Sequence, residues 1–183
     1  VRRIDRLVSE IADASRIDAE LSRTTFEPVD LERLLTALVA ARDSRGVNSG
    51  CPVRIRRSGE GTAGVPGDAS RLQRAIENLL DNAVSFSPPG AGIDIDLTCL
   101  PRHVTMAVSD NGPGIAPAVR EKVFERFHSL RPPEESFGSH SGLGLAIART
   151  IIEAHEGTLA ARDRADGRPG ACLVIELPKE PGE

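Results

Sequence analysis

The stretch ASRLQRAIENLLDNAVSF, residues 69–86, decides how the chain folds. Its apolar members Leu72, Ala75, Ile76, Leu79, Leu80 and Ala83 return every three or four residues, the rhythm of an amphipathic helix with one buried face. Asp68 stands ready as its N-cap, and Ser87-Pro88-Pro89-Gly90 stops it. Two asparagines interrupt the pattern within Glu77-Asn78-Leu79-Leu80-Asp81-Asn82-Ala83. Asn is a poor helix-interior residue because its short amide competes for the backbone. Four apart, Asn78 and Asn82 share one helix face at the border of the core. They either bond a neighbouring loop or serve chemistry. A neutral amide oxygen suits Mg²⁺, which keeps most of its waters and shares nucleotide phosphates.

Downstream of this helix the period changes to two. Ile93, Ile95, Leu97 and Cys99 face one way, with Asp94, Asp96 and Thr98 opposite, and Pro101-Arg102 turns the chain into Val104, Met106 and Val108. That pattern predicts an antiparallel hairpin covering a core on one face. Residues 111–141 read as loop with two short helical possibilities. A further helix is expected from Gly142 to about His155 with Ile147, Ile151 and Ile152 inward, followed by strands at Thr158–Arg162 and Cys172–Leu177.

Upstream, Asp30 caps an expected helix from Leu31 to about Arg45, striped by Leu31, Leu34, Leu35, Leu38 and Val39. Val53-Arg54-Ile55-Arg56 alternates like a strand, and Thr62 to Pro66 suits a short edge strand. Residues 1–24 differ from the rest. Ile4, Leu7, Ile11, Ala14, Asp18 and Leu21 fall three and four apart, broken by the charge of Asp18. This is either an amphipathic helix packed on its own domain or the tail of a dimerising helix. Together the elements predict an α+β sandwich: a mixed, mainly antiparallel sheet, covered on one face by about three helices, with the long central loop as a lid.

Composition narrows the function classes. The chain has 183 residues, 27% charged and 39% hydrophobic, which suits one well-cored domain. Leu34 to Ala41, interrupted by Thr36, is far too short to span a bilayer. A net charge of −4 gives no electrostatic reason to expect nucleic acid, and five Phe without Trp or Tyr make a poor base-stacking surface. Cys51, Cys99 and Cys172 show no paired spacing, which fits a reducing cytoplasm better than a disulfide framework. The chain opens on Val1 without a signal-peptide pattern and reads as a piece of a longer protein.

Two glycine-bearing motifs complete the reading. Asp110-Asn111-Gly112-Pro113-Gly114-Ile115 follows a strand. As a turn it is explained by Asn-Gly and Pro-Gly, yet an acceptor-only carboxylate beside glycines also reads an exocyclic amine. Gly138-Ser139-His140-Ser141-Gly142-Leu143-Gly144-Leu145 runs into a helix, where free N–H groups and the positive helix end favour phosphate. No Gly-Lys-Ser/Thr follows, so it is not a Walker A loop.

In this order, the Asn helix, the Asp-x-Gly-x-Gly loop, the pair Phe124/Phe127 and Gly-Leu-Gly-Leu, the motifs resemble the N, G1, F and G2 boxes of the ATP-binding domain of bacterial sensor histidine kinases. The resemblance covers roughly residues 25 to 178. Residues 3–11 further resemble the end of the dimerisation helix of these kinases. The wording of residues 13–21 and 82–88 is most similar to the ChvG-type envelope sensors. The resemblance implies Mg²⁺ and ATP, held by Asn78, Asn82, Phe86, Asp110, Gly112, Gly114, Ile115, Phe127, Gly142, Leu143 and Gly144. Asn82 matches the metal ligand, Asp110 the acceptor of the adenine amino group, and Phe86 stands where a Tyr is usual. Gly112 and Gly114 would give the base room, residues 115–141 would form the ATP lid, and Gly142 and Gly144 its hinge. It also implies residues 1–24 as dimerisation helix, 25–183 as catalytic domain, a homodimer, a response regulator as partner, no nucleic acid, and a cytoplasmic position within an inner-membrane sensor.

Departures from the pattern are specific. Ser85 replaces a usual Lys or Arg, leaving the phosphate-side cation to Arg126 or Arg131. Glu156 stands where a Gly is usual, implying a turn that tolerates a side chain, and Gly170-Ala171-Cys172 follows the final glycine box loosely. The phosphoacceptor box is absent: none of His103, His128, His140 or His155 has its neighbours. No catalytic residue is therefore expected on this chain. His155, at a helix end, would be favoured as a cation. The alternatives are a stand-alone serine kinase of the anti-sigma-factor type and a dimerisation module that has lost nucleotide binding.

Overall fold

The computed structural model describes residues 26–48, 50–128 and 142–179. The expected helix over residues 1–24 and the lid stretch 129–141 lie outside them. Among the described residues seven strands and three helices form: β1 (Glu27–Asp30), α1 (Leu31–Ser44), β2 (Val53–Gly59), β3 (Gly64–Gly67), α2 (Ala69–Phe86), β4 (Ile93–Cys99), β5 (His103–Ser109), α3 (Gly144–Ala154), β6 (Thr158–Asp163) and β7 (Ala171–Pro178). Short 3₁₀ turns at Pro117–Val119 and Lys122–Phe124 take the place of the two helical possibilities.

The main sheet runs β2-β4-β5-β7-β6. β2 lies parallel to β4, and every other pair is antiparallel. A parallel pair needs a crossover, and α2 supplies it between β2 and β4. Register puts Ile95, Val108 and Leu173 in one row and Leu97, Met106 and Ile175 in the next, all buried against α2 and α3. The caps expected from sequence hold: Asp30 accepts from the Arg33 N–H, and Asp68 from those of Ser70 and Arg71. All six residues expected inward on α2 are buried. Among the described residues no helix is long and apolar enough to cross a membrane.

Several expectations are corrected. Glu27–Asp30, where no strand was expected, is a strand paired with β3, so β3 joins a separate two-stranded ladder. α3 starts at Gly144 rather than Gly142, because Gly142 takes φ +71, outside the helical region. Asp94, expected on a solvated face, is only 2% exposed, covered by arginines from β2 and from the β6–β7 loop. Phe127, paired with the buried Phe124 in the expected F box, is 63% exposed. Its backbone, at φ +64, is held by its N–H donating to the Gly142 carbonyl at 3.1 Å, and this turns the ring outward. His155, expected to be favoured as a cation, is instead buried, and burial lowers its pKa. The turn at Glu156 does not simply tolerate a side chain, since Glu156 sits at φ +57.

Candidate functional site

Asn78, Asn82 and Phe86 recur every four residues and form one stripe along α2. At 1.5 Å per residue the stripe spans about 12 Å. Its two ends meet different elements. At the C-terminal end, a Cβ on Gly112 would come within 2.8 Å of the Phe86 carbonyl oxygen, so the loop after β5 lies directly on the end of α2. The Asn111 N–H donates to the Ser87 hydroxyl at 3.3 Å, and its side-chain amide donates to the Gly92 carbonyl. At the other end, Asn78 Oδ1 is 3.3 Å from the Cβ position of Gly144, the first residue of α3.

The Phe86 end carries a carboxylate. Asp110 is 3% exposed, and its Oδ1 accepts the N–H groups of Gly112 at 2.8 Å and Ala171 at 2.9 Å. Among the described residues no donor reaches Oδ2. Burial pushes the Asp110 pKa above the ordinary carboxylate value, against the pull of the two N–H groups and of the Arg164 charge. The glycines expected to make room do so for protein: Gly112 approaches Phe86, and Gly114, at φ +81, approaches the Gly170 carbonyl at a Cβ distance of 3.1 Å. Ile115 is half-buried against the core.

The Asn78 end carries donors. α3 has Leu143 at its N-cap, a side chain that cannot accept a hydrogen bond from the first-turn N–H groups. Leu143 itself is buried, fixing where the helix begins. Among the described residues the buried Asn78 Nδ2 has no hydrogen-bond acceptor, an arrangement that native proteins rarely leave uncompleted. Between the ends, the half-buried Asn82 carboxamide makes no hydrogen bond within the described residues. Among those residues no cluster of three or more His, Cys, Asp or Glu could hold a metal ion.

The approach to α3 is pinned from outside. Arg149 on α3 lies over the Phe124 ring at 5.1 Å and pairs with Glu121 at 2.9 Å. Arg120 pairs with Asp163 at the end of β6. Of the two arginines offered for the phosphate side, Arg126 is exposed, and Arg131 is outside the described residues. Sequence reasoning missed Arg164, which donates to the Asp110 carbonyl, and Asp94, which pairs with Arg164. The only available signal was the alternation of Arg and Asp at 162–168 beside Gly167 and Gly170.

A helix stripe with an acceptor carboxylate at one end and a helix N-terminus at the other has the acceptor and donor ends that suit a base and its phosphates. Residues 67–181 match the family described as histidine kinase-, DNA gyrase B-, and HSP90-like ATPase, and the chain belongs to it. It is similar to sensor protein ChvG of Rhizobium meliloti (strain 1021), 45% identical across 99% of this chain and 33% of that protein. Two solved structures share the fold. The mycobacterial sensor histidine kinase MprB is 34% identical with a TM-score of 0.69, covering 86% of this chain and 99% of that one. Full-length ShkA in complex with AMPPNP is 26% identical with a TM-score of 0.72, covering 94% and 36%. The resemblance read from the four boxes is thus borne out, and the chain is an ATP-binding catalytic domain of the sensor histidine kinase class. It spans about a third of the length of the curated relatives it matches.

Proposed function

We propose that this domain binds Mg²⁺-ATP along the α2 stripe and donates the γ-phosphoryl group to a His on a dimerisation domain. The carrying observation is the pairing of two groups along one helix: Asp110 Oδ2, which accepts from no described residue, at one end, and the buried Asn78 Nδ2, with no acceptor among the described residues, beside the start of α3 at the other. The base lies at Asp110 and Phe86, whose apolar ring replaces a stacking Tyr. The phosphates lie at Gly142, Leu143 and Gly144, where N–H groups and the helix dipole favour negative charge. A magnesium ion held through the Asn82 oxygen would offset phosphate charge. In transfer, the bond between the γ-phosphorus and the β–γ bridging oxygen breaks, a phosphorus–nitrogen bond forms on the acceptor imidazole, and ADP leaves. The chain's own part is positioning and charge stabilisation. The AMPPNP carried by ShkA supports this reading.

In the same reading, residues 1–24 are the end of the dimerisation helix and 25–183 the catalytic domain. The whole protein is a homodimeric inner-membrane sensor with a cytoplasmic kinase, phosphorylating a response regulator. Calorimetric titration tests the core of it. Wild-type protein is expected to bind Mg²⁺-ATP, and Asn82→Ala to lose far more affinity for Mg²⁺-ATP than for metal-free adenosine. Equal losses for both ligands would remove Asn82 from the metal site, and no heat from the wild type would overturn the reading.

A further inference from the structure

Arg164, the residue after β6, is buried and extends its guanidinium to three acceptors. Nε and Nη2 donate to the two oxygens of Asp166 at 2.9 and 2.7 Å, Nη2 also to Asp94 Oδ2 at 3.1 Å, and Nη1 to the backbone carbonyl of Asp110 at 2.6 Å. Asp166 is held in turn by the N–H and Nε of Arg168, and Asp94 has Arg56 at 3.3 Å. We propose that Arg164, clamped between Asp94 and Asp166, is a positioning residue that orients the Asp110 carboxylate toward the 6-amino group of a purine. This rests on the nucleotide-binding reading given above.

The argument is geometric. The loop folded around Arg164 returns as Gly170-Ala171, and these two residues grip Asp110. The Asp110 N–H donates to the Ala171 carbonyl at 2.9 Å, and the Ala171 N–H donates to Asp110 Oδ1. Gly170, at φ +135, lies so close that a Cβ there would overlap the Asp110 carbonyl oxygen. Asp110 is therefore fixed at its N–H, its carbonyl and one carboxylate oxygen, which leaves Oδ2 in a single orientation. Such fixing lowers the ordering cost of a ligand contact. Stability alone is a weak reason for the cluster, because a buried ion pair gains little over apolar residues of the same volume. A planar guanidinium does what an apolar group cannot: it links three acceptors at set angles. Its charge also opposes the upward push of burial on the Asp110 carboxyl.

The test compares ATP with ITP, which carries a 6-oxo group in place of the 6-amino group. Affinities of both are measured for the wild type, Arg164→Lys and Asp166→Asn. The wild type is expected to prefer ATP, and each variant to narrow that preference by about threefold or more. A structural role alone would weaken both nucleotides equally; an unchanged ATP-to-ITP ratio in Asp166→Asn overturns the proposal. If Arg164→Lys does not fold, Asp166→Asn, altered on the solvent side of the clamp, decides by itself. A wild type that binds neither nucleotide overturns the underlying reading, and one that binds both without preference removes Asp110 from the base.

Discussion

The backbone N–H of Asp68 donates to Nε2 of His155 at 3.0 Å, joining the start of α2 to the end of α3 across 87 positions of sequence. Because Nε2 accepts, the ring proton sits on Nδ1 and is donated to the Ile151 carbonyl at 2.7 Å. Phe26 stacks on the other side, with ring centroids 4.7 Å apart. A protonated ring would lose the Asp68 bond and leave a charge in a buried site.

Stability should therefore fall on mild acidification. The His155 pKa is lowered from 6.5 in the folded state, so below that value the unfolded chain binds more protons than the native one. The contribution is complete above the unfolded pKa and declines as pH drops through the folded one. Thermal unfolding followed from about pH 7.5 to about pH 5.5 should show a falling midpoint, and His155→Leu should flatten that dependence while lowering the midpoint throughout. An equally steep slope in His155→Leu would assign the effect to another group.

Glu156→Gly should stabilise the protein. Glu156 is an exposed non-glycine residue at φ +57, where a side chain crowds the backbone at a cost of about 1–2 kcal/mol. Glycine relieves this and returns part of it as unfolded-state entropy, for a net gain of about 0.5–1 kcal/mol. Denaturant unfolding measures it directly. A loss of stability would show that the Glu156 side chain makes a contact worth more than the strain.

What the sequence made legible divides along a physical line. The limits of α2 and the start of α1 could be read because a cap and an apolar stripe are local patterns, and Asp68 and Asp30 do what such residues do anywhere. β1 could not, since four residues including Pro28 become a strand only by pairing with Gly64–Gly67. Asp94 looked solvated because strand alternation says nothing about Arg164, 70 positions away. His155 misled for the same reason: the helix-end rule is local, while its burial partners Phe26 and Asp68 are not. The N, G1 and G2 boxes were readable as an ordered set, whereas the groups that hold Asp110 in place were not.

The isolated chain should not label itself. His155 has both ring nitrogens engaged and is 2% exposed, and none of the four histidines has the neighbours of a phosphoacceptor. Incubation with γ-labelled ATP is expected to leave the protein unlabelled while nucleotide binds. Stoichiometric acid-labile label on one of its own histidines would require an acceptor assignment that nothing here supports.

Gly170→Ala should cost both stability and nucleotide affinity. At φ +135 a side chain is strained, and its Cβ would strike the Asp110 carbonyl oxygen and come within 2.9 Å of Arg164 Cδ. Backbone cannot yield as a flexible side chain would, so a loss of about 2–4 kcal/mol is expected in denaturant unfolding. Wild-type stability would place Gly170 farther from Asp110 than the fold has it.

Asp110→Asn separates the base contact from everything else the loop does. The substitution is nearly isosteric. Its amide oxygen can take the place of Oδ1, accepting from Gly112 and Ala171, which leaves an NH₂ donor where Oδ2 stood. The fold is therefore retained, and the midpoint of unfolding should move little. The ligand sees a different group: a donor now faces the donor amine of adenine. A hydrogen bond to a charged acceptor contributes about 1.5–3 kcal/mol, so ATP affinity should fall roughly tenfold to a hundredfold. GTP and ITP, which present a carbonyl oxygen at the same ring position, should lose less or gain. An adenine preference equal to that of the wild type would show that Asp110 does not read the base, even if the protein still binds ATP through the phosphates.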